Sequence, residues 1–330
     1  MYKYIYKIQV QRYIGNPCLI DNRKFDCRFY VMVTSFNPLR VYMYNEGMVR
    51  LCTHEYNLNA NELKDSYKHL TNYSINKNSD DFVENRSADE DDTGSKQSFS
   101  SFLNKLKVEG RDTKKLLRDM QDVAAKTLIA AESECYPKCV GMRGRDECCF
   151  ELFGFDLMFD ENLKVYLIEV NIYPSMMSAS PFDKRLKYGM LTDALHIVGV
   201  PTGAKSQTNQ PRRDILLETK EEFDRASTTN FTCVYPNKRT VKTLDYIFES
   251  RKSNNDIIKN WIMYGNTDAN RVEKKKGQQQ QQEQQQHDNE QPMLYKDDES
   301  RSTISSSSSI RSNSSNSSIG NSMNSGISYN

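Results

Sequence analysis

The sequence predicts an α+β fold: an antiparallel sheet with packed helices, followed by a disordered low-complexity tail. Three observations predict it. Between residues 24 and 51, apolar and aromatic runs alternate with turn formers, the pattern of an antiparallel meander. Residues 150–175, FELFGFDLMFDENLKVYLIEVNIYPS, read as two apolar strands around the polar turn Asp160–Lys164. Stretches 112–132 and 181–198 carry apolar residues at helical spacing. From about Asn266 onward come a basic run, a glutamine tract and a serine- and asparagine-rich end. Such a composition buries too little surface to offset chain entropy and predicts disorder over 266–330.

Composition sets outer bounds. The apolar fraction of the 330 residues, 37%, is diluted by that C-terminal end. With 45 basic and 44 acidic residues the net charge is +1, so no global field points to nucleic acid or to a membrane surface. The 8 cysteines are scattered and make no disulfide framework in a chain this long, which predicts a reducing, cytosolic setting. The opening MYKYIYKIQV lacks the apolar core of a signal peptide, and no apolar run reaches bilayer length. There is no Walker P-loop and no G-x-G-x-x-G, so a nucleotide would have to be held in another way.

Taken in order, residues 1–14 read as an extended segment closed by the turn Gly15-Asn16-Pro17. A strand so near residue 1 has no preceding partner, which predicts a domain that begins upstream. Strands follow at Lys24–Thr34, Arg40–Tyr44 and Met48–Leu51, separated by Asn37-Pro38 and Asn45-Glu46-Gly47. Lys24, Asp26 and Arg28 are spaced by two and project from one face, where Arg50 can join them. Alternating charges there fit either a solvated sheet face or a phosphate-binding surface gripped by guanidinium groups. Residues 53–80 are loop-like, with the donor and acceptor cluster His69-Leu70-Thr71-Asn72. A histidine in such a loop serves structure more often than catalysis. Residues 81–98 are acidic and poor in apolar side chains, which predicts a mobile insertion.

The helix over 112–132 carries Leu116, Met120, Val123 and Thr127, with Leu117, Ala124, Leu128 and Ala131, on one stripe. The helix over 181–198 starts with Ser180 as N-cap, Pro181 at the first position and Asp183 completing a capping box, and stops at Gly199. Beyond Pro201 the periodicity fails, so 201–265 is expected to be a linker with short helices near 214–226 and 241–264.

The chemistry concentrates on the 150–175 hairpin. Glu169 and Asn171 share a strand face, and Asp156 falls opposite Glu169 across the turn. Two carboxylates so close repel unless a cation or a shared proton lies between them. Hard oxygen donors of this kind suit Mg²⁺ held together with nucleotide phosphates. The alternative is that these are strand-end polar groups facing water. Flanking strands that look buried on both faces favour the metal.

Five stretches in order then resemble one family. QRYIGNPCLI, KFDCRFYVMVTSFNPLRVYMY, EGMVRL, HLTNYSINK and FELFGFDLMFDENLKVYLIEVNIYPS are similar to tubulin–tyrosine ligase-like enzymes, nearest the tubulin polyglutamylase branch, over residues 8–200. The resemblance implies an ATP-grasp ligase fold, with 1–200 forming the C-terminal portion of the catalytic domain. It implies that Gln11, Arg12, Tyr13, Ile14 and Ile168 surround adenine, and that His69, Thr71 and Asn72 contact the nucleotide region. Lys24, Asp26, Arg28 and Arg50 would surround the phosphates and the reacting carboxylate, with Asp156, Glu169 and Asn171 on Mg²⁺. The implied reaction is ATP-dependent isopeptide formation between L-glutamate and glutamate side chains of tubulin tails, through an acyl phosphate. The implied partners are ATP, Mg²⁺, L-glutamate and tubulin, for a monomer at microtubules, cilia or basal bodies, with no nucleic acid and no membrane. A glycine or tyrosine ligase, or an inactive tubulin-binding member, are the alternative readings. The family's earlier subdomains have no counterpart in these stretches, so an N-terminally truncated catalytic domain is expected. Tyr173 stands where the family's Asn-x-Ser-Pro-Ser run carries a small serine.

Overall fold

The computed structural model describes residues 10–84, 94–140, 150–178, 180–199, 214–247 and 254–265. Its axis is the long strand β2, Arg23–Phe36, around which the other strands are arranged. The short β1, Leu19–Ile20, pairs with the start of β2. On one side of β2, β3 (Leu39–Tyr44) pairs with its C-terminal half and β4 (Met48–Leu51) with its N-terminal half. Strand β5, Lys96–Ser98, extends the sheet beyond β4. On the other side lies the hairpin of β6, Glu151–Phe159, and β7, Val165–Asn171. Strand β8, Phe231–Tyr235, closes the far edge against β3. All of these pairings are antiparallel, as the meander and hairpin patterns predict.

Alternation along β2 sends its residues to two different environments. Phe25, Cys27, Phe29, Val31 and Val33 join the larger core, under α3 (Phe99–Val108) and α4 (Thr113–Val140). Tyr30 and Met32 face the other way and pack with Tyr42, Tyr44 and Met48 beneath α5, Pro181–Val198. Helix α5 starts as expected: the Ser180 hydroxyl accepts from Asp183 N–H, Pro181 is at the first position, and Gly199 ends it at φ 69°. The short helices α1 (Ser66–His69) and α2 (Tyr73–Asn76) hold the HLTN loop between them.

Two expected boundaries are corrected. The 81–98 insertion does not run to Ser98, because Lys96, Gln97 and Ser98 are buried and pair with β4 as strand β5. Residues 85–93 lie outside the described residues, as do 201–213 and the tail from 266. Residues 214–247 and 254–265 carry helices and a strand that pack into the fold, where a linker was expected. Helix α6, Ile215–Ala226, packs beside α5, β8 adds a strand, and α7 (Lys238–Leu244) and α8 (Asn254–Tyr264) follow. The two short helices expected there are present, although the second is divided.

A buried polar group fastens α6 to the sheet. Glu222 accepts hydrogen bonds from the Thr34 hydroxyl at 2.6 Å and the Tyr42 hydroxyl at 2.7 Å. Arg40 Nε lies 3.0 Å from the same carboxylate oxygen, and its Nη1 donates to Thr219 at 3.2 Å. Each partner answers a charge or donor that would otherwise be desolvated without compensation. Glu222→Ala strands the buried Arg40 and Tyr42 groups and is expected to cost about 3–5 kcal/mol, read by urea unfolding.

Candidate functional site

The second face of the sheet is covered by apolar helix only at one end. Beyond Tyr30 and Met32, which α5 covers, β2 places Lys24, Asp26 and Arg28 in a row on that face. The register sets Arg50 of β4 opposite Asp26, and Asp156 of β6 opposite Arg28. Across the hairpin Asp156 is opposite Glu169, as the spacing predicts. Charged residues from four strands are thereby brought into one ladder.

The ladder is buried and fully paired at its centre. Lys24 is 5% exposed and Asp26 4% exposed, which rules out the solvated-face reading for β2. Arg28 grips Asp156 in a two-pronged contact, Nε to Oδ1 at 2.5 Å and Nη2 to Oδ2 at 2.9 Å. Arg50 reaches both carboxylates: Nε donates to Asp26 at 2.7 Å, and Nη2 bonds Asp26 and lies 2.9 Å from Asp156. Fork-shaped guanidinium groups suit this planar pairing. Burial acts to raise the Asp156 pKa, but the Arg28 hydrogen bonds and the charges of Arg50 and Arg28 outweigh it and hold the carboxyl below its ordinary range. For Arg50 burial alone would lower the pKa, and the two aspartates reverse it and lock the guanidinium in its charged form.

Lys24 joins the ladder to the HLTN loop. Its ammonium donates to the His69 carbonyl at 2.9 Å and the Tyr13 hydroxyl at 3.2 Å. Burial is the main cause of its lowered pKa, partly offset by the neighbouring Cys52 and Asp26. Tyr13 Oη and His69 Nδ1 are 3.0 Å apart, and the buried His69 Nε2 has no hydrogen-bond partner. Thr71 is buried and Asn72 is exposed at the start of α2. Asn76 pins the loop: it accepts from the Thr53 N–H and hydroxyl and donates to the Leu70 and Asn72 carbonyls. Of the four residues expected around adenine from the first segment, Gln11 and Arg12 are exposed, Ile14 is half-buried and only Tyr13 touches the ladder.

Strand β7 is an edge strand, and this corrects the expectation that both hairpin strands are buried on both faces. Its register shifts by one residue, with Asp156 opposite Glu169 but Leu157 opposite Leu167, so Ile168 is the extra residue of a β-bulge. Glu169 and Asn171 can therefore face the site while Leu167 still packs into the larger core. Glu169 is exposed and accepts from Asn171 Nδ2 at 3.1 Å. The same amide nitrogen donates to the Gly154 carbonyl at 3.4 Å.

Asp156, Glu169 and the Asn171 amide oxygen form a hard-oxygen donor set suited to Mg²⁺. No three His, Cys, Asp or Glu side chains converge among the described residues.

Sequence reasoning missed three participants. Lys96 pairs with Arg50 across β4 and β5, its ammonium 3.5 Å from Asp183 and 4.1 Å above the Tyr73 ring. Lys187 of α5 shares Asp183 at 2.9 Å, so two ammonium groups meet one buried carboxylate beside the ladder. Gly154 is the third. A Cβ built there would lie 3.0 Å from Pro174 Cβ and 3.2 Å from Arg28 Cδ, so any larger residue makes one of these neighbours give way. Asp183 and Lys187 stand at i and i+4, a legible helical pair. Lys96 sits in a polar stretch with no pattern of its own.

The α+β fold, an antiparallel sheet with packed helices, is consistent with the ATP-grasp-like fold of the tubulin-tyrosine ligase family. The model of that family matches residues 5–208, and the chain belongs to the family. Among its relatives is the human protein named tubulin polyglutamylase TTLL5, 44% identical over 192 residues, covering 58% of this chain and 15% of the relative. Mouse tubulin polyglutamylase TTLL6 is 34% identical over 291 residues, covering 80% of this chain and 34% of the relative. A Tetrahymena thermophila protein named probable beta-tubulin polyglutamylase is 37% identical over 211 residues, 63% of this chain and 18% of the relative. The chain thus spans about a third or less of the length of these relatives.

Two outcomes follow for stability. Asp156→Asn leaves Arg28 and Arg50 short of a buried carboxylate and is expected to cost about 3 kcal/mol in urea unfolding. Because the Asp156 pKa is depressed on folding, that difference is full above about pH 4 and narrows as pH falls through the depressed value. Gly154→Ala forces Pro174 or Arg28 aside and is expected to cost about 1–3 kcal/mol by the same measurement.

Proposed function

We propose that this chain carries the nucleotide- and metal-binding part of an ATP-dependent tubulin polyglutamylase. The reaction joins the amine of L-glutamate to a glutamate side chain of a tubulin tail through an acyl phosphate. The observation that carries this reading is the buried ladder, in which Arg28 and Arg50 are held by Asp26 and Asp156 at one uncovered end of the sheet. Family membership and relatives named tubulin polyglutamylase support the substrate class.

On this reading Arg28 and Arg50 present fixed positive charge to a transferring phosphoryl group, and Asp26 and Asp156 keep their planes from rotating away. Lys24 adds a third cation, oriented by the His69 carbonyl and Tyr13. Asp156, Glu169 and Asn171 hold Mg²⁺, which when bound offsets charge on phosphate oxygens. Tyr13, Ile14 and Ile168, with the backbone of Gln11 and Arg12, surround adenine, and His69, Thr71 and Asn72 border the nucleotide. Lys96 and Lys187, on either side of Asp183, add positive charge next to the ladder for a substrate carboxylate. No protein nucleophile is needed, because the substrate carboxylate attacks ATP directly and the incoming amine displaces phosphate. The setting is cytoskeletal, and no helix among the described residues is long and apolar enough to cross a membrane.

The test is incorporation of labelled L-glutamate into tubulin by the full chain with ATP and Mg²⁺. Incorporation that requires ATP and falls by about 100-fold or more in Asp156→Ala is expected. Undiminished labelling by that variant removes the metal and ladder assignment, and labelling with glycine or tyrosine in place of glutamate reassigns the substrate.

A further inference from the structure

The β8 edge of the sheet carries a hollow that the ladder does not use. It lies between α6, β8 and α8 and has a volume of about 480 Å³. Phe223, Trp261 and Ile262 line it from the helices, with the two rings 5.9 Å apart, and Cys233 lines it from β8. A smaller hollow of about 240 Å³ is also lined by Phe223 and Cys233 and extends the apolar space along α6. Each wall is held by contacts of its own, so the hollow is preformed. Glu222 fastens α6, and pairing with β3 holds β8. Helix α8 is held by Asn255, whose side-chain oxygen accepts from the Leu39 N–H at 2.6 Å, and by the fully buried Ile258. The polar groups near the hollow are spent on the fold. The Asn237 amide donates to the Cys233 and Val234 carbonyls at 2.9 and 3.0 Å and accepts from the Arg239 and Thr240 N–H groups. The Cys233 thiol donates to the Pro236 carbonyl at 3.5 Å, and burial, helped by the charge of Glu222, pushes its pKa up, so this side of the hollow is neutral. Among the described residues that line the hollow, Lys238 is the charged one, and it is exposed at the start of α7.

We propose that this hollow binds a small amphipathic anion, its flat aromatic body against Phe223 and Trp261 and its acidic group at Lys238. The volume falls in the range of about 300–1,000 Å³ typical of small-ligand pockets, which combine apolar and aromatic lining with a few placed polar groups. Aromatic rings favour offset and edge contacts with one another beyond what their buried area supplies, so two ring walls select an aromatic body. With the rest of the lining uncharged, Lys238 sets the sign of the head group: it attracts an anion and repels a cation. Strand β3 separates β8 from β2, and none of the ladder residues lines the hollow. The site therefore does not rest on the polyglutamylase reading.

Trp261 is the single tryptophan of the chain and lines the hollow, so its fluorescence reports occupancy. The full chain is titrated with anilinonaphthalene sulfonate and, separately, with the uncharged phenylnaphthylamine, following Trp261 quenching and probe emission. The variants are Lys238→Glu, at an exposed position, and Ile262→Glu, which sets a carboxylate in a half-buried part of the lining. Both are checked by thermal melting. Wild type is expected to show saturable quenching by the sulfonate at a single site. Lys238→Glu is expected to weaken sulfonate binding about fivefold and to leave phenylnaphthylamine binding unchanged. Ile262→Glu is expected to weaken both probes by about tenfold or more. Should Ile262→Glu not melt cooperatively, the two titrations of Lys238→Glu decide alone. Wild type without saturable quenching overturns the site. Sulfonate affinity unchanged in Lys238→Glu overturns the recognition of an anion, and sulfonate affinity unchanged in a folded Ile262→Glu overturns the placement in this hollow.

Discussion

Everything at the candidate site depends on two guanidinium groups being held under the surface of a β-sheet. Arg28 and Arg50 lie in the middle of strands and are largely withdrawn from water, where an uncompensated charge would carry a heavy desolvation cost. Asp26 and Asp156 remove that cost, and the antiparallel register puts each opposite its arginine without any loop having to find it. Replacing such a network by apolar side chains is often neutral or stabilising, so its presence here is weak evidence for stability as an end in itself. What the network supplies is orientation. Cations fixed by carboxylates keep their geometry before any anion arrives, and preorganised charge is the usual source of catalytic stabilisation.

The same logic explains why the sheet is sandwiched unevenly. One face of β2 is apolar along most of its length and is covered by α3 and α4. On the other, Tyr30 and Met32 receive α5, while Lys24, Asp26 and Arg28 cannot be covered by an apolar helix. Polar cover comes from elsewhere: the HLTN loop over Lys24, and Lys96 with Asp183 beside Arg50. The site is thus the part of a two-faced sheet where the apolar sandwich gives out.

Much of this was legible in the sequence, and what was missed has physical causes. The two-residue period of Lys24, Asp26 and Arg28 and the symmetry of Asp156 and Glu169 about the turn were readable because strand geometry is periodic. Helix α5 announced itself through Ser180, Pro181 and Gly199, which act locally. Burial of the charges was not readable, because it depends on partners 24 and 128 residues away in sequence. Strand β5 and Lys96 lay in a polar stretch whose pairing comes from β4 and not from its own residues. Helix α3 did carry a signal, Phe99, Phe102 and Leu106 at helical spacing, but it was short and followed a polar run. Strand β8, with Phe231, Val234 and Tyr235, was obscured by the loss of helical periodicity around it.

The hairpin shows how little separates a structural edge strand from a functional one. Strict alternation cannot send Leu167 to the core and Glu169 to the site, since residues two apart share a face. One extra residue, Ile168, breaks the alternation between the core residue Leu167 and the candidate-site residue Glu169. Three residues beyond Asn171, Pro174 closes on Gly154, and this contact fixes where the following loop runs. The bulge aims Glu169 and Asn171, the glycine admits the loop, and the loop carries Tyr173 to the rim.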